Sequence, residues 1–453
     1  MSAVTKKNSA SSRIVRALGI FSGVKIVVIL CSLIRNKLIA WFIGPAGLGL
    51  VGLYNGLMDL ISQSSRLSMD QSAQRDISQS ATANADVTIT VVRRWALWLG
   101  LSGSLLTCLL SPVLSLISFD TTAHWPSFCL LAVVPFFYTS TCCINAENQG
   151  LRRFRAVALS TLLGNIVALV LAVPLILFLG LKSIVWIIAL YAIVTGLFAL
   201  YFQPRISKII LPRSEIIARG RSFIKIGAQI TLAMIVTQAA TYAFILFLNN
   251  YASTDTLGIY QAGHQIMNSY VGIIFTVLWI EYYPRLSSMA HSPRRLSIAA
   301  SHQIRVVLLA LTPLLCLLIV FVNPGIRLIY ASTFLGIIPY IVAACIGVVF
   351  RTTSYCLAYV VLARGDGRTY MGTEITSSIV GLILNISGFV VGGFLGLGIA
   401  YIAWYAFYTA LMVTICRRKY GVTLNRRTWL LVVVALVLIA AVAVIYLIAS
   451  GII

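Results

Sequence analysis

Basic side chains inside long apolar stretches are the residues of this chain best suited to chemistry. Lys25, Arg35 and Arg351 lie well within such stretches, and Asp59 and Glu374 are the carboxylates placed as deep. A charge at the centre of a bilayer costs several kcal/mol unless it faces water, a cavity or a partner. This excess of cations favours a wet cationic cavity, in which Arg and Lys would recognise phosphate or pyrophosphate.

Uncharged polar residues recur at helical spacing along several of these stretches, so that each set lines one face of a helix. The residues that we assign to a substrate site are Lys25, Arg35, Asn55, Asp59, Asn145, Gln261, His264, Asn268, Arg351 and Glu374. Their amide and imidazole side chains suit sugar hydroxyls. The same residue types also join membrane helices by hydrogen bonds, and this structural role remains open for the uncharged positions.

Two of these residues are also candidates for coupling to an ion. Asp59 is a buried carboxylate, and His264 carries a group that titrates near neutral pH. A single intramembrane histidine is more often a hydrogen-bonding wall residue, so coupling and wall packing both stay open for His264. Glu147 is a rival proton site, although its position at a helix end predicts a solvated ion pair with Arg152 or Arg153.

The composition excludes a soluble globular protein. Apolar residues make up 60% of the 453 residues, charged residues make up 10%, and the mean hydropathy is +0.96. The nine cysteines fall inside apolar runs or at their ends, and their spacing matches no metal site. We therefore expect an all-α polytopic membrane protein that has no metal and no cofactor, in which the cysteines are small packing residues.

Thirteen apolar runs are long enough to cross a bilayer. They lie near 17–43, 46–65, 95–117, 126–147, 156–179, 182–203, 226–249, 257–282, 303–322, 334–362, 371–393, 395–416 and 428–452. These runs predict an N-terminal six-helix lobe at 1–203, a basic linker at 204–225, a C-terminal six-helix lobe at 226–416, and a basic linker with an extra helix at 417–453.

The basic residues are distributed very unevenly among the loops. Alternate loops hold nearly all of them, whereas the remaining loops contain only Lys182 and Arg327. Cytoplasmic loops of membrane proteins carry the excess of Lys and Arg, so the N-terminus is predicted to be cytoplasmic. The net charge of +23 is therefore an insertion signal, and we expect no nucleic-acid partner.

Two short sequence echoes indicate an internal repeat. Leu48-Gly49-Leu50 returns as Leu257-Gly258-Ile259 at an offset of 209, and Phe178-Leu-Gly-Leu returns as Phe394-Leu-Gly-Leu at an offset of 216. At the first offset, Asn55 falls on His264 and Asp59 falls on Asn268. Two nearly equal offsets predict two six-helix halves, a plan of transporters whose substrate site lies between the repeats.

The corner between the first two apolar runs resembles a known family. Gly44-Pro45-Ala46-Gly47-Leu48-Gly49, which the second run follows at once, is similar to the polysaccharide-export branch of the multidrug/oligosaccharidyl-lipid/polysaccharide (MOP) exporter superfamily. Within that branch the chain resembles Wzx-type O-antigen flippases. Gly150-Leu-Arg-Arg and Phe394-Leu-Gly-Leu-Gly fit as well, and the resemblance covers roughly residues 12–416.

The resemblance implies a V-shaped, MATE-like fold in the bacterial inner membrane with a central cationic cavity. Such proteins are not enzymes; they move an undecaprenyl-pyrophosphate-linked oligosaccharide between leaflets by alternating access, beside a polymerase and a chain-length regulator. The charged residues involved would be Lys25, Arg35, Asp59 and His264. The chain departs from this pattern at 428–452, because the Wzx-type core commonly ends after twelve helices.

Two other classes of function remain open. An integral-membrane O-antigen polymerase or another glycosyltransferase would be expected to carry catalytic charge in a sizeable external loop, and the loops here are short. A MATE-type drug exporter would share the fold, but cationic drugs call for acidic cavity walls. The intramembrane basic residues named above outnumber the acidic ones, which favours the flippase.

Overall fold

The structure, a computed structural model, describes residues 23–79, 82–206, 209, 211–277 and 282–451. Within these ranges, some side chains are also left undescribed, at 75, 79, 82–84, 222–230, 269–271, 273–277 and 284. All regular secondary structure in the described ranges is helical. The predicted all-α membrane fold is therefore confirmed.

Seventeen helices are described along the chain, the first of which is described over 23–42 (α1). The others are α2 (Pro45–Arg66), α3 (Met69–Gln79), α4 (Thr82–Leu109), α5 (Ser111–Phe119), α6 (Trp125–Leu131), α7 (Val133–Gly150), α8 (Phe154–Leu179), α9 (Ser183–Tyr201), α10 (Arg213–Tyr251), α11 (Thr254–Val277), α12 (Tyr283–Ser288), α13 (Pro293–Val320), α14 (Val322–Ile329), α15 (Ile338–Ala363), α16 (Gly367–Tyr420) and α17 (Arg426–Ala449).

A helix stands at the place of every predicted apolar run. In the described ranges, seven helical stretches are long and apolar enough to cross a membrane, or eight if the bent pair α4–α5 counts as one span. The chain is thus a multi-pass membrane protein. The count of thirteen spans, the lobe boundaries and the repeat remain predictions.

Two of the seven stretches fold back on themselves. Between α8 and α9 the chain turns at Gly180, whose φ is +54°, a region that suits glycine. Within α16 it turns at Gly392 and Gly393, and Gly393 has a φ of +56°. Behind this turn the indole of Trp404 donates to the hydroxyl of Ser377 at 3.0 Å, so the two arms of α16 run side by side as a hairpin.

Contacts divide the chain into two compact units. Unit 1 contains residues up to Ile43 together with Leu53–Thr231, and unit 2 contains Gly44–Gly52 together with Leu232–Ile453. The helix α2 contributes to both, since its first turns belong to unit 2 and the rest belongs to unit 1. The basic linker at 204–225 belongs by its contacts to unit 1.

In unit 2, the first turns of α2 cross the first turns of α11 at backbone distance. A Cβ added to Gly258 would overlap the backbone carbonyl of Pro45, and one added to Gly49 would overlap that of Thr254. At the sequence offset of 209, Pro45 corresponds to Thr254 and Gly49 corresponds to Gly258. The contact of Gly258 with Pro45 therefore corresponds to the contact of Gly49 with Thr254. The crossing is therefore reciprocal, like an interface around a two-fold axis.

A third contact of this crossing joins two residues that correspond to each other. The side chain of Gln261 lies directly over Gly52, where no larger residue would fit. Residues 52 and 261 are again 209 apart, so this contact also joins positions that correspond in the sequence. The sequence echo around Gly49 and Gly258 thus has a structural counterpart.

The helix α17 is an integral part of unit 2. It presents one buried face at helical spacing, formed by Val432, Ala435, Ile439, Ala443 and Leu447. The linker before it is fixed to α13, since the backbone N–H of Asn425 donates to the hydroxyl of Ser301 at 3.1 Å. The hydroxyl of Thr428 donates to the carbonyl of the same serine at 3.4 Å.

The two ends of the α16 hairpin are joined by Asp366. This side chain caps the helix by accepting from the amide of Thr369 at 3.0 Å, and it also accepts from Lys419 at 2.6 Å and from Tyr420 at 2.8 Å. Partial burial disfavours the carboxylate, but these hydrogen bonds outweigh it and hold the pKa of Asp366 below its usual value.

The glycine crossing predicts a position-specific cost for a single methyl group. We expect Gly258→Ala to lower the free energy of unfolding by about 1–3 kcal/mol, because the added carbon forces the two backbones apart. Gly372→Ala is the matched control, since nothing lies within 4 Å of that position on α16. Thermal unfolding of both variants in one detergent measures the effect, and equal melting temperatures would show that the crossing does not constrain residue 258.

Candidate functional site

The predicted site residues fall into two groups, one in each unit, and each group is described by itself. In unit 1, Lys25 is exposed on α1. Arg35, on the same helix, is half-buried and its guanidinium lies 4.9 Å from the ring centroid of Tyr191 on α9. It also donates to the side-chain oxygen of Asn36 at 3.4 Å. An arginine in apolar surroundings is thus stabilised by an aromatic face and an amide.

One face of α2 carries polar residues from the middle of the helix to its end. Asn55, Asp59, Ser62 and Arg66 follow each other at spacings of three and four residues, which places them in one row. Asp59 lies within electrostatic reach of Arg66. The sequence places Arg66 in a loop, but its side chain is only 11% exposed, so it belongs to this buried row.

Arg66 is the centre of a polar cluster in unit 1. It pairs with Asp70 of α3 at 3.4 Å, donates to the thiol of Cys142 at 2.8 Å, and lies 5.5 Å from the ring centroid of Tyr138. Asn145 stands one turn beyond Cys142 on α7, and its side-chain oxygen is buried with no hydrogen-bond partner among the described residues. An unsatisfied buried oxygen of this kind suits a water or a ligand hydroxyl.

The predicted ion pair of Glu147 with Arg152 or Arg153 is wrong. Glu147 is fully buried, and its carboxylate accepts from the guanidinium of Arg93 at 2.9 and 3.1 Å, in place of a solvated pair with Arg152 or Arg153. The reason is the packing of α4 against α7, which brings together two residues far apart in sequence. Such a pair is a structural tie, because removing either partner would leave a buried charge uncompensated.

In unit 2, Arg351 lies among tyrosines. Its guanidinium donates to the hydroxyl of Tyr401 at 3.1 Å and lies 5.4 and 5.6 Å from the ring centroids of Tyr355 and Tyr405. Tyr401 and Tyr405 stand four residues apart on the second arm of α16, so both face α15. The tyrosine rings shield the cation from the apolar interior and leave it positively charged.

His264 and Asn268 lie together on α11, one helical turn apart. The amide nitrogen of Asn268 lies 2.8 Å from Nε2 of His264, and the hydroxyl of Tyr260 lies 3.3 Å from Nδ1. Both ring nitrogens of His264 thus lie within hydrogen-bonding distance of a polar side chain of the same helix. Arg351 is within electrostatic reach of His264, so these predicted residues form one group.

Glu374 joins the same tyrosine-rich region from the first arm of α16. Its carboxylate accepts a hydrogen bond from the hydroxyl of Tyr408. The ring of Tyr408 meets that of Tyr355 edge to face at 6.4 Å, which connects Glu374 to the surroundings of Arg351. Gln261 lies elsewhere, because it packs over Gly52 at the glycine crossing.

Sequence reasoning missed several members of these groups. In unit 2 it missed Tyr401 and Tyr405, although Tyr401, Tyr405 and Tyr408 recur at spacings of four and three. In unit 1 it missed Arg66, which continues the row of α2 one turn past Ser62. Among the described residues no group of three His, Cys, Asp or Glu side chains could hold a metal ion. The roles of the predicted site residues remain predictions.

A family match covers most of the chain. The model of a family described as "Polysaccharide biosynthesis protein" matches residues 38–339. No curated protein matches the chain.

Several solved structures share its fold. An inward-facing multidrug resistance MATE family transporter of the MOP superfamily has a TM-score of 0.73 at 14% identity, over 88% of this chain and 99% of its own. The lipid II flippase MurJ, in an inward closed conformation, has a TM-score of 0.68 at 14% identity, over 94% and 97%. A MOP superfamily transporter from Pyrococcus furiosus has a TM-score of 0.53 at 14% identity, over 89% and 96%. Likeness at this identity shows the fold, and it confirms the predicted MATE-like architecture.

The contacts of Arg351 predict a cost for a substitution that keeps its charge. We expect Arg351→Lys to lower the melting temperature in detergent, because an ammonium group lacks the planar guanidinium that reaches the rings of Tyr355 and Tyr405 while donating to Tyr401. The loss should correspond to about 1–2 kcal/mol. The matched control is Arg327→Lys, at an exposed arginine that donates to Asn323 at 3.0 Å. A melting temperature unchanged in both variants would contradict the tyrosine cage.

Proposed function

Because this chain belongs to the family of polysaccharide biosynthesis proteins, we propose that it flips an undecaprenyl-pyrophosphate-linked oligosaccharide across the bacterial inner membrane. The family and the fold together support a lipid-linked polysaccharide flippase or another MOP transporter. The finer proposal is that the cargo is an O-antigen repeat unit or a related surface glycan. It would move from the cytoplasmic to the periplasmic leaflet by alternating access, with the N-terminus cytoplasmic.

The observation that carries this proposal is the retention of cations within apolar helices. Arg35 and Arg351 each keep a charged guanidinium inside the protein beside tyrosine rings. Guanidinium groups bind the oxygens of a pyrophosphate through paired hydrogen bonds, and tyrosine faces and hydroxyls suit sugar rings. A lipid-linked oligosaccharide presents both kinds of group next to each other. Asn55, Asn145 and Asn268 would supply further hydrogen bonds to the glycan.

We further propose that Asp59 and His264 couple this movement to protons. Asp59 lies in the α2 row close to Arg66, whose charge is shared with Asp70. His264 lies within hydrogen-bonding distance of Tyr260 and Asn268, and an imidazole is a side chain that can gain and lose a proton. A change of charge at either residue would alter the charge balance of its own unit. An ion that binds one conformation better than the other shifts the equilibrium between them, and so can drive a transport cycle.

A drug exporter of the same superfamily is the second candidate, and the likeness to a MATE family transporter favours it. That likeness shows the fold, which exporters and flippases share, and therefore does not choose the cargo. Lys25, Arg35 and Arg351 outnumber the carboxylates Asp59 and Glu374 within the apolar stretches, and this excess of basic residues disfavours a cationic drug. A polymerase is less well supported, because the solved structures that share the fold over most of this chain are a transporter and a flippase.

The proposal is tested by deleting the gene in its host and following the lipid-linked intermediates. We expect one surface glycan to be lost while its undecaprenyl-pyrophosphate repeat unit accumulates in the inner leaflet. Repeat units that reach the outer leaflet but remain unpolymerised would identify an enzyme instead. An unchanged glycan profile with increased sensitivity to cationic drugs would identify an exporter.

The cationic site gives a prediction for single residues in the same assay. We expect Lys25→Ala and Arg35→Ala to reduce glycan export to background while the protein still inserts into the membrane, because each removes a charge that would hold the pyrophosphate. Lys182→Ala and Arg327→Ala are matched controls at exposed positions of unit 1 and unit 2. Wild-type export by both site variants would refute the cationic site.

A further inference from the structure

The basic linker between the two predicted lobes is fixed to unit 1 by its backbone. The carbonyl of Pro204 accepts from the guanidinium of Arg93 at 2.6 Å, and the carbonyl of Phe202 accepts from the side chain of Asn148 at 3.3 Å. Arg93 is the same residue that pairs with the buried Glu147. The start of the linker therefore rests on a buried ion pair.

The end of the linker is held in the same way. The first turns of α10 pack on α4, where the indole of Trp95 donates to the carbonyl of Ile216 at 2.8 Å and a Cβ on Gly220 would overlap that indole. Ile206, Leu211 and Ile216 join the apolar cluster formed by α3, α4 and α7. A segment that looks like a charged loop in the sequence thus has one apolar face that is buried.

The part of this segment that is not buried is basic. Exposed arginines stand at four positions, Arg205, Arg213, Arg219 and Arg221. Arg219 forms an ion pair with Glu215 at 2.8 Å, and the carboxylate of Glu147 is buried under Arg93, so neither acid neutralises the other exposed arginines. Arg213 and Arg221 share one helical face about 12 Å apart, and the exposed Ile217 lies between them.

Aromatic residues place this face at the level of the lipid head groups. Trp95 and Trp98 of α4 meet edge to face at 5.7 Å, and Trp98 is 40% exposed beside the exposed Arg94. Tryptophan is enriched where the bilayer meets water, and arginine extends from there toward the head groups. Since Trp95 bonds to Ile216, the first turns of α10 lie at this same level.

We propose that Arg94, Arg205, Arg213 and Arg221 form a binding surface for anionic phospholipid head groups, which we name the basic collar. Each guanidinium can hold a phosphate through two hydrogen bonds, and Ile217 would insert among the acyl chains beside it. The partner is a phospholipid of the surrounding leaflet and is separate from the transported cargo. This inference depends only on the chain being a membrane protein, so it stands or falls independently of the proposed function.

The test measures stabilisation of the purified full-length protein by added lipid. In a neutral detergent, phosphatidylglycerol should raise the melting temperature, while phosphatidylcholine and inorganic phosphate should not. The double variant Arg213→Gln/Arg221→Gln should need on the order of tenfold more phosphatidylglycerol for the same shift, because each basic residue near the surface strengthens binding to anionic lipid. High salt should weaken the wild-type shift in the same direction.

A control variant removes the same amount of charge elsewhere. Arg294→Gln/Arg295→Gln changes two exposed arginines at the start of α13 in unit 2 and should keep the wild-type response. An equal loss in both double variants would show an effect of net charge alone and overturn the collar. A rise in melting temperature with inorganic phosphate would show that the basic collar binds a free anion and not a lipid head group, and would overturn the proposal. If the first variant melts lower without lipid, Arg213→Lys/Arg221→Lys should restore both stability and the lipid response.

Discussion

The close approach of α11 to the first turns of α2 constrains the backbone that carries the polar row of α11. The two backbones touch because Gly49 and Gly258 carry no side chain at the crossing. From each glycine the chain continues as an unbroken helix, so the crossing fixes how far along the helix every later residue lies. Asp59 follows Gly49 by ten residues, and Asn268 follows Gly258 by the same distance, about 15 Å. In unit 2 the crossing therefore fixes the helix on which His264 and Asn268 lie.

Buried arginine is handled in the same way at three places in the molecule. Arg35 lies beside Tyr191, Arg66 beside Tyr138, and Arg351 beside Tyr355 and Tyr405. A tyrosine ring offers a negative face that stabilises a cation by roughly 0.5–2 kcal/mol and, unlike a carboxylate, carries no charge of its own. Each of these places also supplies a hydrogen-bond acceptor, which is Asn36, Cys142 or Tyr401. At Arg66 the carboxylate of Asp70 also lies at 3.4 Å and offsets part of the charge, whereas the tyrosine rings, amide and hydroxyl described around Arg35 and Arg351 carry no charge of their own.

The sequence predicted those features that depend on local or periodic patterns. Apolar runs gave the positions of the helices, and the repeated Leu-Gly pair marked the two glycines that meet at the crossing. The partners of the buried charges could not be predicted, because they depend on which helices pack together. Glu147 pairs with Arg93 only because α4 lies against α7, although Arg152 and Arg153 are nearer in sequence. Arg66 was assigned to a loop because the apolar run ends just before it, yet the helix continues through it.

The charge of the side chains, and not the fold, decides between the possible cargoes. Transporters of quite different substrates share this architecture, as the names of the matching structures show. A cationic drug would meet repulsion from Arg35 and Arg351, whereas Asp70 is already paired with Arg66 and Glu374 accepts a hydrogen bond from Tyr408. The oxygens of an anionic pyrophosphate would instead accept the hydrogen bonds that each guanidinium would make to water outside the protein. The positive charge of these arginines therefore supports the proposal of a negatively charged cargo.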